Sequence, residues 1–262
     1  SMSLVISSTS NPKVKDIVQL LTKSKERKTR GLCIVEGARE INRALASNWV
    51  AKELWQLDGS DVPLNTMAFP NYYLASSKVF QKIAYRNTTE SAVAVFAVPD
   101  SGMNQHLELL KSAKCILVLE GIEKPGNLGA SLRTACAAGI DAVVLVNSGV
   151  DPYSPNVIRN STGALFEIPL ITTDSKALIS LFSATGRKVY VTNLHEEADS
   201  MFTIQWPDSC AIVLGEESSG LSDIWTLGGF ENIIIPMEGG AIDSLNVSVS
   251  AALLMYHWKS QQ

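Results

Sequence analysis

The side chains best suited to chemistry in this sequence fall into three sets. They are an Asn and an Arg six positions apart, Asn127 and Arg133; an acidic pair, Glu216 and Glu217; and the polar residues Ser244 and Asn246 flanking Leu245. Each set lies in a glycine-bearing loop: residues 120–135, 214–222 and 235–250. Glycine frees the backbone for unusual dihedrals and lets a ligand lie against the main chain. Guanidinium and amide groups orient a nucleophile and stabilise developing charge. A free guanidinium is a poor base, with a pKa above about 12. Taken singly, each loop also fits an ordinary strand-to-helix turn, and Arg133 also fits a plain ion pair with Glu217.

Other chemistries lack their residues. No glycine-rich loop ends in Gly-Lys-Ser/Thr, as a Walker phosphate loop requires. Gly126-Asn127-Leu128-Gly129 has the wrong spacing for a dinucleotide fingerprint, and the next strand closes on Val146-Asn147 without the acid that would hold a ribose. Ser218 and Ser219 lie between Gly215 and Gly220 but do not make a Gly-x-Ser-x-Gly elbow. The three histidines, His106, His195 and His257, are scattered, and no metal-ligand spacing occurs, so no metal is expected.

These loops need elements to aim them. From residue 113 onward apolar strands alternate with helices: strands at 115–119, 142–146, 168–171, 188–192, 211–214 and 232–235, helices at 127–138, 154–161, 175–184 and 244–259. Strands apolar on both faces predict a parallel sheet covered by helices. In such a sheet the loops at the carboxyl ends of the strands converge on the ligand site. All three loops lie there, with Asn127 expected as a helix N-cap and Ser244 and Asn246 in the first turn of the last helix.

Residues 1–100 read as a smaller α/β unit, with strands at 31–35, 53–57, 71–74 and 92–98. Asn11-Pro12 starts a helix whose Val14, Ile17, Val18 and Leu21 share one face. The remaining face and its end carry Lys13, Lys15, Lys23, Lys25, Arg27, Lys28 and Arg30 against Asp16 and Glu26. Such a run suits phosphates, and equally a solvated helix face. Residues 1–100 hold 13 Lys and Arg against 9 Asp and Glu; residues 101–262 hold 9 against 17. A basic part and an acidic part point to different tasks. The breaker cluster Pro99-Asp100-Ser101-Gly102 marks the boundary, giving a first domain at 2–98, a linker at 99–112 and a second domain at 113–262.

With 46% apolar and 18% charged residues, the chain reads as a globular protein long enough for two domains. No apolar run reaches a membrane span, and residues 1–11 lack the charged and apolar regions of a leader peptide. Cys33, Cys115 and Cys210 fall in apolar strands and Cys136 in a helix, with no paired spacing; free thiols in a reducing compartment, the cytoplasm, are expected.

Together the loops match a known pattern. Asn-x-Gly-x-x-x-Arg-x-Ala at 127–135, Gly-x-Glu-x-x-Gly-Leu at 215–221 and Ile-Pro-Met-x-Gly…Ser-Leu-Asn-Val-Ser at 235–248 resemble, in order and spacing, the SpoU–TrmH family of RNA ribose 2′-O-methyltransferases, of the SPOUT superfamily. Glu216 departs slightly, an acid where Asn or Ala is more usual. Val35-Glu36-Gly37-Ala38-Arg39-Glu40 and residues 83–98 resemble the RNA substrate-binding domain of two-domain members, similar to a small ribosomal-protein fold.

The resemblance implies an α/β fold: a SPOUT-type parallel sheet with a deep trefoil knot, plus a smaller N-terminal α/β substrate-binding domain. It implies S-adenosylmethionine held in the knot, and a homodimer whose active site is completed at the subunit interface. Asn127, Arg133, Glu217, Ser244 and Asn246 match the catalytic positions, with the Arg as base or as stabiliser of the ribose oxygen. Leu214, Gly215, Glu216, Gly220, Ile235, Met237 and Leu245 match the cofactor wall. Lys13, Lys23, Lys25, Arg27, Lys28, Arg30 and Arg39 are the expected RNA contacts. The implied substrate is structured RNA, ribosomal RNA first and transfer RNA second; a silent RNA-binding protein of the same fold is the remaining alternative.

Overall fold

A computed structural model describes residues 4–192, 197–216, 220–239 and 244–262. The chain opens with β1 (Val5–Ile6), α1 (Pro12–Thr22), α2 (Ser24–Arg30), β2 (Leu32–Glu36), α3 (Ala38–Ala46), β3 (Ala51–Leu57), β4 (Asn71–Ala75), α4 (Ser77–Ile83) and β5 (Ala92–Ala97). It continues through α5 (Leu107–Ser112), β6 (Cys115–Glu120), α6 (Pro125–Ala138), β7 (Ala142–Val146), α7 (Pro155–Ser161), α8 (Ala164–Glu167), β8 (Leu170–Thr173) and α9 (Ser175–Thr185). The last elements are β9 (Lys188–Thr192), β10 (Asp199–Ser200), β11 (Cys210–Gly215), β12 (Glu231–Ile234) and α10 (Val247–Ser260).

Two compact units result: Ser1–Pro99 with Asp151–Phe166, and Asp100–Val150 with Glu167–Gln262. These units differ from the expected division at 2–98, 99–112 and 113–262 in where residues 100–112 and Asp151–Phe166 fall. Asp151–Phe166 packs with the first unit because that unit holds its partners. Arg27, 6% exposed, donates from Nε to Asp151 at 2.7 Å, and Trp49 meets Phe166 edge-on at 4.8 Å between centroids. Nor is 99–112 a free linker. Thr172 N–H donates to Ser101 O at 2.8 Å, and Leu110 is buried in the core of the second unit.

In the first unit a five-stranded sheet runs β1-β4-β3-β5-β2, antiparallel at β3–β5 and β5–β2 and parallel elsewhere. Val14, Ile17 and Leu20 of α1 close its core against Ile34, Trp55, Phe80 and Val93, as the helical spacing of the apolar residues requires. Asn11 caps α1, its Oδ1 accepting from Lys13 N–H at 2.9 Å.

The second unit carries a seven-stranded, wholly parallel sheet in the order β10-β12-β9-β11-β6-β7-β8. Every residue of β6 and β7 is buried, which explains why their sequences are continuous apolar runs rather than alternating ones. β11 lies between β9 and β6, with Gly215 opposite Glu120 at the carboxyl ends. At the other end the buried Arg187 donates to Cys210 O at 2.8 Å, Leu110 O at 2.8 Å and Ala113 O at 2.7 Å, and burial lowers its pKa from the ordinary value. The implied knot depends on the path of residues 217–219 and 240–243, which lie outside the described residues.

Two starts differ from expectation. α6 begins at Pro125, whose fixed φ suits a first helical turn, so Lys124 is the N-cap and Asn127 lies inside the helix. α10 begins at Val247, because Asn246 is its N-cap; Ser244 precedes the helix.

Candidate active site

A cavity of about 440 Å³ opens at the carboxyl ends of β9, β11 and β12, where they meet the start of α10. Leu214, Gly215, Glu216 and Gly220 line it from β11 and the loop beyond. Ile235 and Met237 line it from the run after β12, and Ser244 and Leu245 from the approach to α10. All seven residues matched to the cofactor wall thus border one space. Four more were not singled out by sequence: Thr192, Ile234, Val247 and Ser250. Their only signal is position, at strand ends and in the first turn of a helix.

Local rules place each wall. A Cβ at Gly215 would collide with the backbone of Gly220 and Leu221, so only glycine lets the loop double back there. Gly220 N–H donates to Glu216 O at 2.7 Å, closing that turn, and Gly220 sits at φ 63°. Glu216 is 8% exposed, and its Oε2 is buried with no hydrogen-bond partner among the described residues.

Asn246 does two jobs at once. Its Oδ1 caps α10, accepting from Ser248 N–H at 2.9 Å and from Ser248 Oγ at 2.6 Å. Its Nδ2 donates to Asn127 Oδ1 at 3.0 Å. The cap fixes which end of the Asn246 amide is the donor, and that fixes the Asn127 amide in turn. Asn127 Nδ2 is then left buried without a partner among the described residues. The first and third motifs are therefore joined side chain to side chain.

Arg133 stands apart. It is exposed, lies outside the cavity wall and has no hydrogen bond or ion pair among the described residues. Six residues of helix turn it to a different face from the buried Asn127. Glu217 lies outside the described residues.

One residue that sequence reasoning passed over anchors the site. Glu120, at the end of β6, is 6% exposed and accepts four hydrogen bonds. Ser175 Oγ and Trp225 Nε1 donate to its Oε2 at 2.6 and 2.8 Å. Ser222 donates from N–H to Oε1 at 2.7 Å and from Oγ to Oε2 at 3.0 Å. This carboxylate ties the segment after Gly220 to β6 and α9. Its signal was available: an acid closing a continuous apolar strand must find partners.

In the first unit Lys13, Lys23, Lys25, Lys28, Arg30 and Arg39 are exposed. Arg27 is a correction. Besides Asp151, its guanidinium donates to Leu20 O at 2.8 Å and Leu21 O at 3.2 Å, so it is a buried structural group and not a phosphate contact. Arg30 is held by Asp16 through two bonds of 2.6 and 2.8 Å. No cluster of His, Cys, Asp and Glu among the described residues suits a metal.

Comparison with known proteins bears on this geometry. The SpoU rRNA Methylase family matches residues 114–256, and the MRM3-like substrate binding domain matches residues 11–94. The 23S rRNA (guanosine(2553)-2′-O)-methyltransferase RlmP of Bacillus subtilis is 33% identical over 252 residues, covering 96% of this chain and 98% of that protein. A crystal structure of an RNA 2′-O ribose methyltransferase is 34% identical with a TM-score of 0.78, covering 98% of this chain and 99% of the other. An AdoMet-bound rRNA methyltransferase from Sinorhizobium meliloti is 27% identical with a TM-score of 0.86, covering 98% of both chains. With two of its motifs walling one cavity at the end of a parallel sheet and the remaining motif bonded to them, this chain belongs to the SpoU rRNA methylase family.

Proposed function

We propose that this chain transfers a methyl group from S-adenosylmethionine to a ribose 2′-hydroxyl of ribosomal RNA. The observation that carries the reading is the 440 Å³ cavity walled by the second and third motifs at the carboxyl ends of the parallel strands, with the first motif bonded to the third through Asn127 and Asn246. The residues present fit the cofactor. Gly215 leaves a cradle that any Cβ would fill, Leu214, Ile235, Met237 and Leu245 offer apolar surface for a nucleoside, and the buried Glu216 Oε2 has no hydrogen-bond partner among the described residues. When bound, S-adenosylmethionine supplies the electrophilic methyl.

The chain's own part is placement. A ribose hydroxyl is a weak nucleophile, so aligning it with the methyl and excluding water contribute most of the rate. Ser244 lines the cavity and Asn246, bonded to Asn127, adjoins it in sequence at the start of α10, so hydroxyl and amide groups can hold a ribose there. Arg133 acts as base or as electrostatic stabiliser of the developing ribose oxyanion; it is exposed and has no hydrogen bond or ion pair among the described residues, which suits reach toward the site of a second copy.

Val249, Leu253 and Tyr256 support that arrangement. They are 47%, 42% and 46% exposed, and their spacing puts them on one face of α10 as an apolar stripe suited to a homodimer. The exposed basic residues of α1 and α2 would meet RNA phosphates. Buried free thiols at Cys33, Cys115 and Cys210 suit the cytoplasm, and no helix among the described residues is long and apolar enough to cross a membrane.

The test is Arg133→Ala, assayed with ribosomal RNA by mapping ribose methylation. Cofactor affinity in titration calorimetry is expected to stay within about twofold while methyl transfer falls at least about a hundredfold. Retained transfer would sink the role of Arg133. Absence of cofactor binding by the native protein would sink the enzyme reading and leave an RNA-binding protein of this fold.

A further inference from the structure

We infer that Glu216 makes the cavity charge-selective, holding the cationic methyl donor more tightly than the neutral product left after transfer. The inference rests on the cofactor reading above. Glu216 is the single charged side chain among the described residues of the wall; the others are Leu, Ile, Met, Val, Gly, Ser and Thr. It is 8% exposed and keeps a buried carboxylate oxygen without a hydrogen-bond partner among the described residues. Burying an unpaired charge is costly unless something of opposite charge arrives. No basic side chain stands among the described residues of the wall, which leaves the ligand to supply the complement.

The chemistry of methyl transfer makes that complement change sign of benefit within one turnover. The ribose oxygen gives an electron pair to the methyl carbon and an O–C bond forms. The C–S bonding pair returns to sulfur, so the sulfonium becomes a neutral thioether, and the hydroxyl proton leaves to water. The cavity therefore loses one positive charge. A carboxylate as buried as Glu216 feels that loss more than one in open water, because Coulomb attraction grows as the effective dielectric falls. Glu216 thus favours donor over product and helps the spent cofactor leave.

Glu216 sits between residues that grip by shape. Gly215 and Gly220 allow the backbone to close, and the apolar walls recognise the parts that donor and product share. None of these distinguishes the two molecules, since they differ by one methyl and one charge. Glu216 is placed to read the charge.

The experiment is titration calorimetry of the full chain with S-adenosylmethionine, S-adenosylhomocysteine and sinefungin, a donor analogue with a protonated amine in place of the sulfonium. Glu216→Gln keeps size and removes charge. It is expected to weaken S-adenosylmethionine and sinefungin about tenfold more than S-adenosylhomocysteine, a difference of about 1.4 kcal/mol. Equal losses for all three, or no loss, would overturn the inference. If Glu216→Gln does not fold, the native protein decides: sinefungin must bind about tenfold more tightly than S-adenosylhomocysteine, and equal affinity rejects the charge reading. Failure of every ligand to bind the native protein would instead reject the cofactor reading on which it stands.

Discussion

Glu120 shows how much a single side chain can hold. Its four hydrogen bonds come from α9, from the segment after Gly220 and from a buried indole, so three elements meet on one carboxylate. Asn147, at a left-handed φ of 50°, adds a second layer by donating to Ser175 Oγ at 3.1 Å. Glu120→Ala leaves buried donors unpaired and is expected to lower stability by about 2–4 kcal/mol, read by urea unfolding. Glu120→Gln replaces one acceptor by a donor and should recover part of that loss. Unchanged midpoints for both variants would show that the network contributes nothing. At this scale the motif residues were legible because their types and spacing are distinctive. The Asn127–Asn246 bond was not, since the two are 119 residues apart and only folding brings them together. Arg27 was misread because charge suggests exposure, whereas a guanidinium can be buried when a carboxylate and two carbonyls receive it.

Elements were easier to foresee than their ends. Asn11, Ser76, Ser154 and Asp174 each cap a helix through a side-chain oxygen, and each is a short polar residue just before an apolar or proline-led run. The two-residue strands β1 and β10 escaped notice because pairing, not composition, makes them strands. The turn after β11 depends on Gly215, whose missing side chain lets Gly220 and Leu221 pass. Gly215→Ala is expected to force the turn open and abolish S-adenosylmethionine binding in calorimetry. The far-UV circular dichroism should stay native, because β11 is held on both sides by β9 and β6. Native affinity in that variant would show that the tight turn is not needed for the cofactor.

At the scale of the molecule, the division into a basic first part and an acidic second part was visible in the sequence, as was the parallel sheet. The assignment of Asp151–Phe166 was not. Its sequence continues the alternation of the second unit, and only buried partners such as Arg27 and Trp49 place it in the first. If α10 pairs two copies through Val249, Leu253 and Tyr256, then Leu253→Asp together with Tyr256→Asp should yield a monomer in light scattering after gel filtration, with loss of methyl transfer. An unchanged dimer, or a native protein that is already monomeric, would place the apolar stripe outside any subunit interface.

The first unit is thus written in two separate stretches of the gene. Ninety-nine residues at the start do not complete it; sixteen more arrive only after β7. A cut at the glycine-proline boundary near residue 100 would release a piece holding a buried guanidinium whose acid stays behind. Cutting the chain there would therefore leave the first unit without the sixteen residues that complete its packing.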